Sequence, residues 1–232
     1  MQVLYGRNPV REALRAGRRP VHAIYATAGA AKEPWLAGAR VEVVAAEQVA
    51  ARCGSDGHQG ICAEAGPFPY AAPADLLARE NPLLVALDEV QDPQNLGAIA
   101  RTAECAGAHG LVLPERRSAE VTPAAAKASA GAVEHLPIAR VRNLADFLAD
   151  AKQAGCWCYG AEGSSRTRYD QPDYTGGVVL VMGAEGKGLR PRVASSCDAL
   201  VSIPLGGRID SLNVSAATAI ILFEISRCRG FA

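Results

Sequence analysis

The chain has no run approaching the roughly 18 apolar residues of a membrane-spanning helix. Its start, Met1-Gln2-Val3-Leu4-Tyr5-Gly6-Arg7, has no apolar signal-peptide core. Seven cysteines (Cys53, Cys62, Cys105, Cys156, Cys158, Cys197, Cys228) are odd in number, irregularly spaced and without a CxxC pair. That pattern argues against a disulfide framework and against a zinc site. A protein of the reducing cytoplasm, with no membrane partner and no metal, is expected. Aromatic residues are scarce at 5%, whereas 49% of the chain is hydrophobic, so the interior must be built from Ala, Val, Leu and Ile. An excess of charge is missing too: 24 basic residues balance 24 acidic ones. That balance is uneven along the chain. Residues 1–40 hold seven basic residues against Glu12 and Glu33, so any nucleic-acid footprint is expected to begin at the N-terminal end.

What is present divides at a proline-rich stretch, Gly66-Pro67-Phe68-Pro69-Tyr70-Ala71-Ala72-Pro73, read as a semi-rigid linker over 67–80. Before it, residues 1–66 are expected to form a small α/β domain. Asn8 as N-cap and Pro9 as first residue predict a helix from Pro9 to about Ala16, ended by Gly17. Arg7, Arg11 and Arg15 recur every four residues and so share one helix face, with Arg18 and Arg19 just beyond. Strands are predicted near Val21 to Ala26, Val41 to Val44 and Ile61 to Glu64, with a helix from Ala46 to Cys53. After the linker, residues 81–232 alternate apolar strands with helices: strands at Leu83 to Leu87, Leu111 to Leu113, Trp157 to Ala161, Val178 to Met182 and Leu200 to Ile203, and a long helix from about Asn213 to Cys228. This alternation predicts a parallel sheet covered on both faces. Cys156-Trp157-Cys158 reads as part of a buried strand.

Three segments carry candidate chemistry. Asp92-Pro93-Gln94-Asn95-Leu96-Gly97-Ala98-Ile99-Ala100-Arg101-Thr102-Ala103 follows an apolar strand, where open α/β sheets place ligands. By itself Asn95 could be a helix cap and Arg101 a surface residue. Met182-Gly183-Ala184-Glu185-Gly186-Lys187-Gly188-Leu189 is neither a P-loop nor a GxGxxG fingerprint. Its three glycines allow close backbone approach to a flat ligand. Ile203-Pro204-Leu205-Gly206-Gly207-Arg208-Ile209-Asp210-Ser211-Leu212-Asn213-Val214-Ser215 brings three polar residues into the start of an apolar helix, more than capping requires.

In this order the three segments resemble the SpoU family of RNA ribose 2′-O-methyltransferases, within the SPOUT superfamily. Tyr5-Gly6-Arg7-Asn8-Pro9-Val10 and His58-Gln59-Gly60-Ile61 are similar to that family's N-terminal substrate-binding domain. Cys197-Asp198 and Leu222-Phe223-Glu224 resemble its bacterial 23S ribosomal RNA guanosine branch. The resemblance implies a trefoil-knotted α/β domain preceded by a small α/β substrate-binding domain, S-adenosylmethionine as cofactor, ribosomal RNA as partner and a homodimer formed through the knotted domain. It implies catalytic roles for Asn95, Arg101, Glu185, Ser211 and Asn213, and a cofactor held by Met182, Gly183, Ile203, Pro204, Leu205 and Leu212. RNA contacts are expected from Arg7, Arg11, Arg15, Arg18, Arg19 and His58. Arg101 could act as a base on the ribose hydroxyl or as a charged clamp for the developing alkoxide. A tRNA ribose methyltransferase, a catalytically silent RNA-binding relative and a nucleotide-dependent oxidoreductase are the alternatives. The missing GxGxxG weighs against the last.

Overall fold

A computed structural model describes residues 1–230. Its first layer comprises β1 (Gln2–Tyr5), α1 (Arg7–Ala16), β2 (Val21–Ala26), β3 (Val41–Val43), α2 (Ala46–Cys53) and β4 (Ile61–Ala65), with sheet order β1-β4-β2-β3. Strand β4 pairs antiparallel with both β1 and β2, whereas β2 and β3 are parallel. Helix α1 begins two residues earlier than its sequence suggests. Gly6, at φ 92°, takes the cap position, and no side chain caps the helix there. The Arg7 amide is satisfied instead by Gln59 Oε1 at 3.1 Å, which removes the need for Asn8 as a cap. Gly17 ends the helix in the left-handed conformation, as its position implies.

The segment read as a linker is docked. The Ala71 amide donates to Ile138 O at 2.8 Å, and Pro73 opens a short helix, α3 (Pro73–Leu77), that buries Leu76. Three prolines excluded a central strand, but one at the first helical position favours a helix.

Beyond it run β5 (Leu83–Asp88), α4 (Pro93–Cys105), β6 (Gly110–Pro114), α5 (Pro123–Ala128), β7 (Ile138–Val141), α6 (Leu144–Gln153), β8 (Cys156–Ala161), β9 (Gly177–Gly183), α7 (Pro191–Ser196), β10 (Ala199–Val201) and α8 (Val214–Cys228). The six strands are all parallel, in order β10-β8-β9-β5-β6-β7. Period-two alternation sends Leu83, Val85 and Leu87 to the face covered by α4 and α8. Leu84 and Ala86 go to the face covered by α6 and α7. Strand β8 departs from its expected burial: Cys156 and Cys158 are buried, but Trp157 points outward and is 57% exposed. No helix among the described residues is long and apolar enough to cross a membrane.

The two sheets share one continuous apolar cluster, from Leu4, Val10 and Ile61 to Leu96, Ile99 and Ile221. Arg19 crosses the junction. Its Nε donates to Glu134 Oε2 at 3.0 Å, its Nη2 pairs with Glu134 Oε1, and its Nη1 donates to Gln2 Oε1 at 2.6 Å and to Gly66 O at 3.2 Å. Both side chains of the ion pair are 1% exposed. Arg18 donates to the carbonyls of Leu136 at 3.1 Å and Pro69 at 3.3 Å, and both guanidiniums lie over the Phe68 ring. Arg19, expected at an RNA-facing surface, is instead 5% exposed with its donors spent inside the protein, whereas Arg18 stays partly exposed with Nη1 and Nη2 on backbone carbonyls. Sequence position suggested a basic surface patch, but the carbonyls and the carboxylate that absorb these donors lie in distant segments.

Removing one member of a buried pair leaves the other charged without a partner, at a cost of about 3–5 kcal/mol. Arg19→Met is expected to lower the unfolding free energy by about that amount, and Arg19→Met with Glu134→Leu to recover most of it. Urea unfolding followed by circular dichroism checks this. Equal losses in the single and double variants would contradict the pairing.

Candidate active site

Parallel strands deliver their following loops to the same edge, and the three segments singled out by sequence leave β5, β9 and β10 at that edge. Asp88, the last residue of β5, is fully buried. It accepts from the Arg190 amide at 2.8 Å and from Arg190 Nε at 2.8 Å, with Nη2 at 2.7 Å. The hydrogen bond that Arg190 donates to Asp88 raises the Arg190 pKa further above its already high value. This pair ties the end of the glycine-rich turn to the sheet. Sequence reasoning passed over it, although an acid closing an otherwise apolar strand was a visible signal.

Helix α4 is capped by Asp92, whose side chain accepts from the Gln94 amide at 2.9 Å. Asn95 is thereby free of the capping role and turns toward α8. There Asn213, the cap of α8, accepts from the Ser215 amide at 2.9 Å and from Ser215 Oγ at 2.5 Å. Its Nδ2 donates to Asn95 Oδ1 at 3.0 Å and also to Glu185 Oε1. Glu185 Oε1 accepts in addition from the Val214 amide at 3.4 Å, so a carboxylate sits at the N-terminus of a 15-residue helix, where the helix dipole favours it. Three residues from three segments thus meet around one side-chain amide.

The turn carrying Glu185 closes through Gly188 N to Ala184 O at 3.0 Å and Ala184 N to Gly188 O at 3.2 Å. Gly186 and Gly188 have φ of 72° and 65°, conformations that favour glycine. Gly183 is required for a different reason: a Cβ there would collide with the Gly188 backbone. The folded turn walls a cavity of about 450 Å³ lined by Met182, Gly183, Ile203, Leu205, Ser211 and Leu212, with Glu162 and Asp210 at its rim. Pro204 lies outside it, in a neighbouring depression with Arg208 and Ile209.

Arg101 is not with the trio. It follows Asn95 by six residues on α4, a rise of about 9 Å. It opens into a separate cleft of about 330 Å³ between α1 and α4, beside Asn8, Arg11, Glu12, Glu104 and His135. Ser211 faces the 450 Å³ cavity and makes no side-chain hydrogen bond to the trio among the described residues. On α1, Glu12 takes Arg11 at 2.7 Å, Arg15 at 3.4 Å and His135 at 2.9 Å. Burial pushes the Glu12 pKa up, but the hydrogen bonds from His135 and Arg11 and the charges of Arg11 and Arg15 outweigh it, and the net shift is downward. Arg7 pairs with Glu33 at 2.7 Å. Two carboxylates, Glu12 and Glu33, thus face the three arginines of this helix, and the Arg7 and Arg15 side chains stay 51% and 61% exposed. His58 orders its own loop, its Nδ1 accepting from the Gly60 amide at 2.9 Å. His109 Nδ1 accepts from the Leu83 amide at 2.9 Å, and His135 bonds Glu12. No cluster of His, Cys, Asp and Glu among the described residues could hold a metal ion.

Residues 82–223 match the model of the SpoU rRNA Methylase family, and residues 3–71 match that of the RNA 2′-O ribose methyltransferase substrate binding domain. A Mycolicibacterium vanbaalenii protein described as an uncharacterized tRNA/rRNA methyltransferase is 42% identical over 243 residues, covering 98% of this chain and 77% of its own length. Among solved structures, the AdoMet-bound rRNA methyltransferase of Sinorhizobium meliloti superposes with a TM-score of 0.83 at 32% identity, covering 97% of this chain and 87% of its own. The SpoU methyltransferase AviRb of Streptomyces viridochromogenes, in complex with AdoMet, superposes at 0.84 with 26% identity, covering 99% and 91%.

Gly183→Ala forces the turn away from the strand end. It is expected to destabilise the protein by about 1–3 kcal/mol, as overpacking does. Gly163→Ala, at a position with open space around it, serves as the control in thermal melts.

Proposed function

The chain belongs to the SpoU rRNA methylase family of RNA methyltransferases, and from that premise we propose that it transfers a methyl group from S-adenosylmethionine to the ribose 2′-hydroxyl of a guanosine in 23S ribosomal RNA. The observation that carries the reading is the meeting of Asn95, Glu185 and Asn213 beside a glycine-walled cavity at the strand ends. Two features support ribosomal RNA over tRNA: the name of the family model, and the rRNA methyltransferase neighbour that covers nearly all of the chain, the substrate-binding layer included.

The cavity fits the cofactor. Its volume is in the range of small-molecule sites. Ile203, Leu205 and Leu212 offer apolar walls for a flat base, the backbone at Gly183 allows close approach, and the rim carboxylates of Glu162 and Asp210 suit hydroxyls and an amino group. S-adenosylmethionine supplies, when bound, an electrophilic sulfonium methyl carbon. The chain's residues do the rest. Asn213 fixes the Glu185 carboxylate and the Asn95 amide, which keeps the turn seated and aims hydrogen-bonding groups at the entering ribose. Ser211 lies at the cavity wall to contact either ligand.

Arg101 acts as a charged clamp. A guanidinium carries N–H donors and no acceptor lone pair, so the exposed Arg101 donates to a phosphate or to the developing alkoxide rather than removing a proton. By the same reading, residues 1–66 are the RNA substrate-binding domain, 67–80 the connection and 81–232 the trefoil-knotted catalytic domain. Two copies pair through α8, where Ile220 and Phe223 are 37% and 53% exposed. All seven cysteines are free thiols, which suits a cytoplasmic enzyme.

Transfer of tritium from labelled S-adenosylmethionine, with the product sites mapped in ribosomal RNA and tRNA, tests the reading. Label at a 23S guanosine ribose is the expected result, label confined to tRNA would move the substrate assignment, and no label on any ribose would overturn the function. Arg101→Ala is expected to lower kcat/KM by about 10²- to 10³-fold, as loss of one oxyanion donor does. As a clamp, its deletion should lower the rate by the same factor across about pH 6 to 9, whereas a base would change the slope of the profile.

A further inference from the structure

We propose that Lys127 is an RNA-phosphate contact, at one end of a track that follows the seam between α1 and α4 and leads to Arg101. The proposal rests on the RNA methyltransferase reading above.

Gly97 brings α4 against the end of α5 so closely that a Cβ there would collide with Ala128 and with the Ala125 carbonyl. Arg101 follows Gly97 by one helical turn and shares its face. It therefore emerges beside the turn that ends α5, and Ser129 and Ala130 of that turn line its cleft. On the other side of the same turn, Lys127 reaches across to the first layer. Its ammonium lies against Gly6, in the space a Cβ would occupy, next to Gln59. Two cations from the second layer thus flank one turn and face one seam.

Neither makes an ion pair among the described residues. The neighbouring cations do have acidic partners: Arg11, Arg15 and His135 share the single carboxylate of Glu12, and Arg7 holds Glu33. Glu104, at the rim of the cleft, forms no bridge among the described residues. Lys127 is half-buried, and desolvation pushes its pKa down with no acid nearby to oppose the shift. Its ammonium has no carboxylate or hydrogen-bond acceptor among the described residues and is not sealed from solvent, so its donors remain available to a phosphate. A strand fits better than a mononucleotide, because the two cations are separated by a turn of chain.

The same geometry accounts for residues that the methyl-transfer site leaves unused. Gly6 must be glycine for its φ of 92° and also to leave room for the ammonium. Gln59, itself at φ 54°, holds the Arg7 amide and so keeps the floor of the seam in place. A strand continuing along α4 from Arg101 covers the roughly 9 Å rise to Asn95 and reaches the trio.

The test uses the full-length protein and a fluorescein-labelled stem-loop RNA of mixed sequence, with affinity measured across a KCl series. Lys127→Gln is expected to weaken binding several-fold and to lower the log–log salt slope by about one, while Lys127→Arg keeps the wild-type slope. S-adenosylmethionine affinity, by calorimetry, should not change. Should the variants fold poorly, acetylation of wild-type lysines with and without the RNA, read by mass spectrometry, gives the same answer: Lys127 should be protected. A wild-type salt slope in the Gln variant, or an unprotected Lys127, overturns the proposal. If the wild type still methylates RNA in that case, only the contact fails. Protection of Lys127 without methyl transfer would instead retain the contact and reject the enzymatic reading.

Discussion

The ion pair between Arg19 and Glu134 is the constraint on which the arrangement of the two sheets rests. Desolvating both charges is costly, and the cost is offset only when every donor and acceptor is matched. Arg19 meets that condition by drawing on Glu134, Gln2 and the Gly66 carbonyl at once, so its partners come from β1, from the end of β4 and from the turn after α5. Sliding one sheet over the other would strand a buried charge. The apolar cluster that runs across the junction adds area, and the polar match adds orientation.

That orientation is what gives α4 two working ends. Its N-terminal turn faces the strand-end site through Asn95, and its later turns face α1 through Arg101. A substrate domain swinging on a flexible tether would leave the second face open to solvent. With α3 docked, the Ala71 amide bonded to β7 and Arg18 bound to the Pro69 carbonyl, the connection is part of the packed structure. A large ligand meeting this surface encounters a shaped cleft rather than two independent modules.

At the strand ends, economy of hydrogen bonding explains the composition. Asn213 caps α8 with its oxygen and joins Asn95 to Glu185 with its nitrogen, and an amide is the smallest side chain that both accepts and donates in this way. Asp cannot donate, and Ser has no second heavy atom to divide the work. The neutral total charge has a similar local origin. Arg7 and Arg19 are matched by carboxylates from other segments, Arg11 and Arg15 share Glu12 of their own helix, and Arg18 is held by carbonyls, so formal charge by itself is a poor guide to which cations remain available.

Local order was legible in the sequence wherever it depends on neighbours along the chain. Apolar strand patterns marked β5 and β9 and Gly17 marked the end of α1, whereas it was the family resemblance that grouped Asn95, Arg101, Glu185, Ser211 and Asn213, of which hydrogen bonds join Asn95, Glu185 and Asn213. Pattern could not distinguish a proline that breaks structure from one that starts a helix, so α3 and α7 went unseen. Tertiary structure decided which polar groups are spent on the fold: Arg19 and Asp88 turn inward, Arg190 reaches back from the surface to Asp88, Trp157 turns outward, and Arg101 stands in the seam away from Asn95. The reason is physical. Helix and strand propensities act over a few residues, whereas the partner that neutralises a charge or buries a ring can lie more than a hundred residues away, and only the folded chain brings the two together.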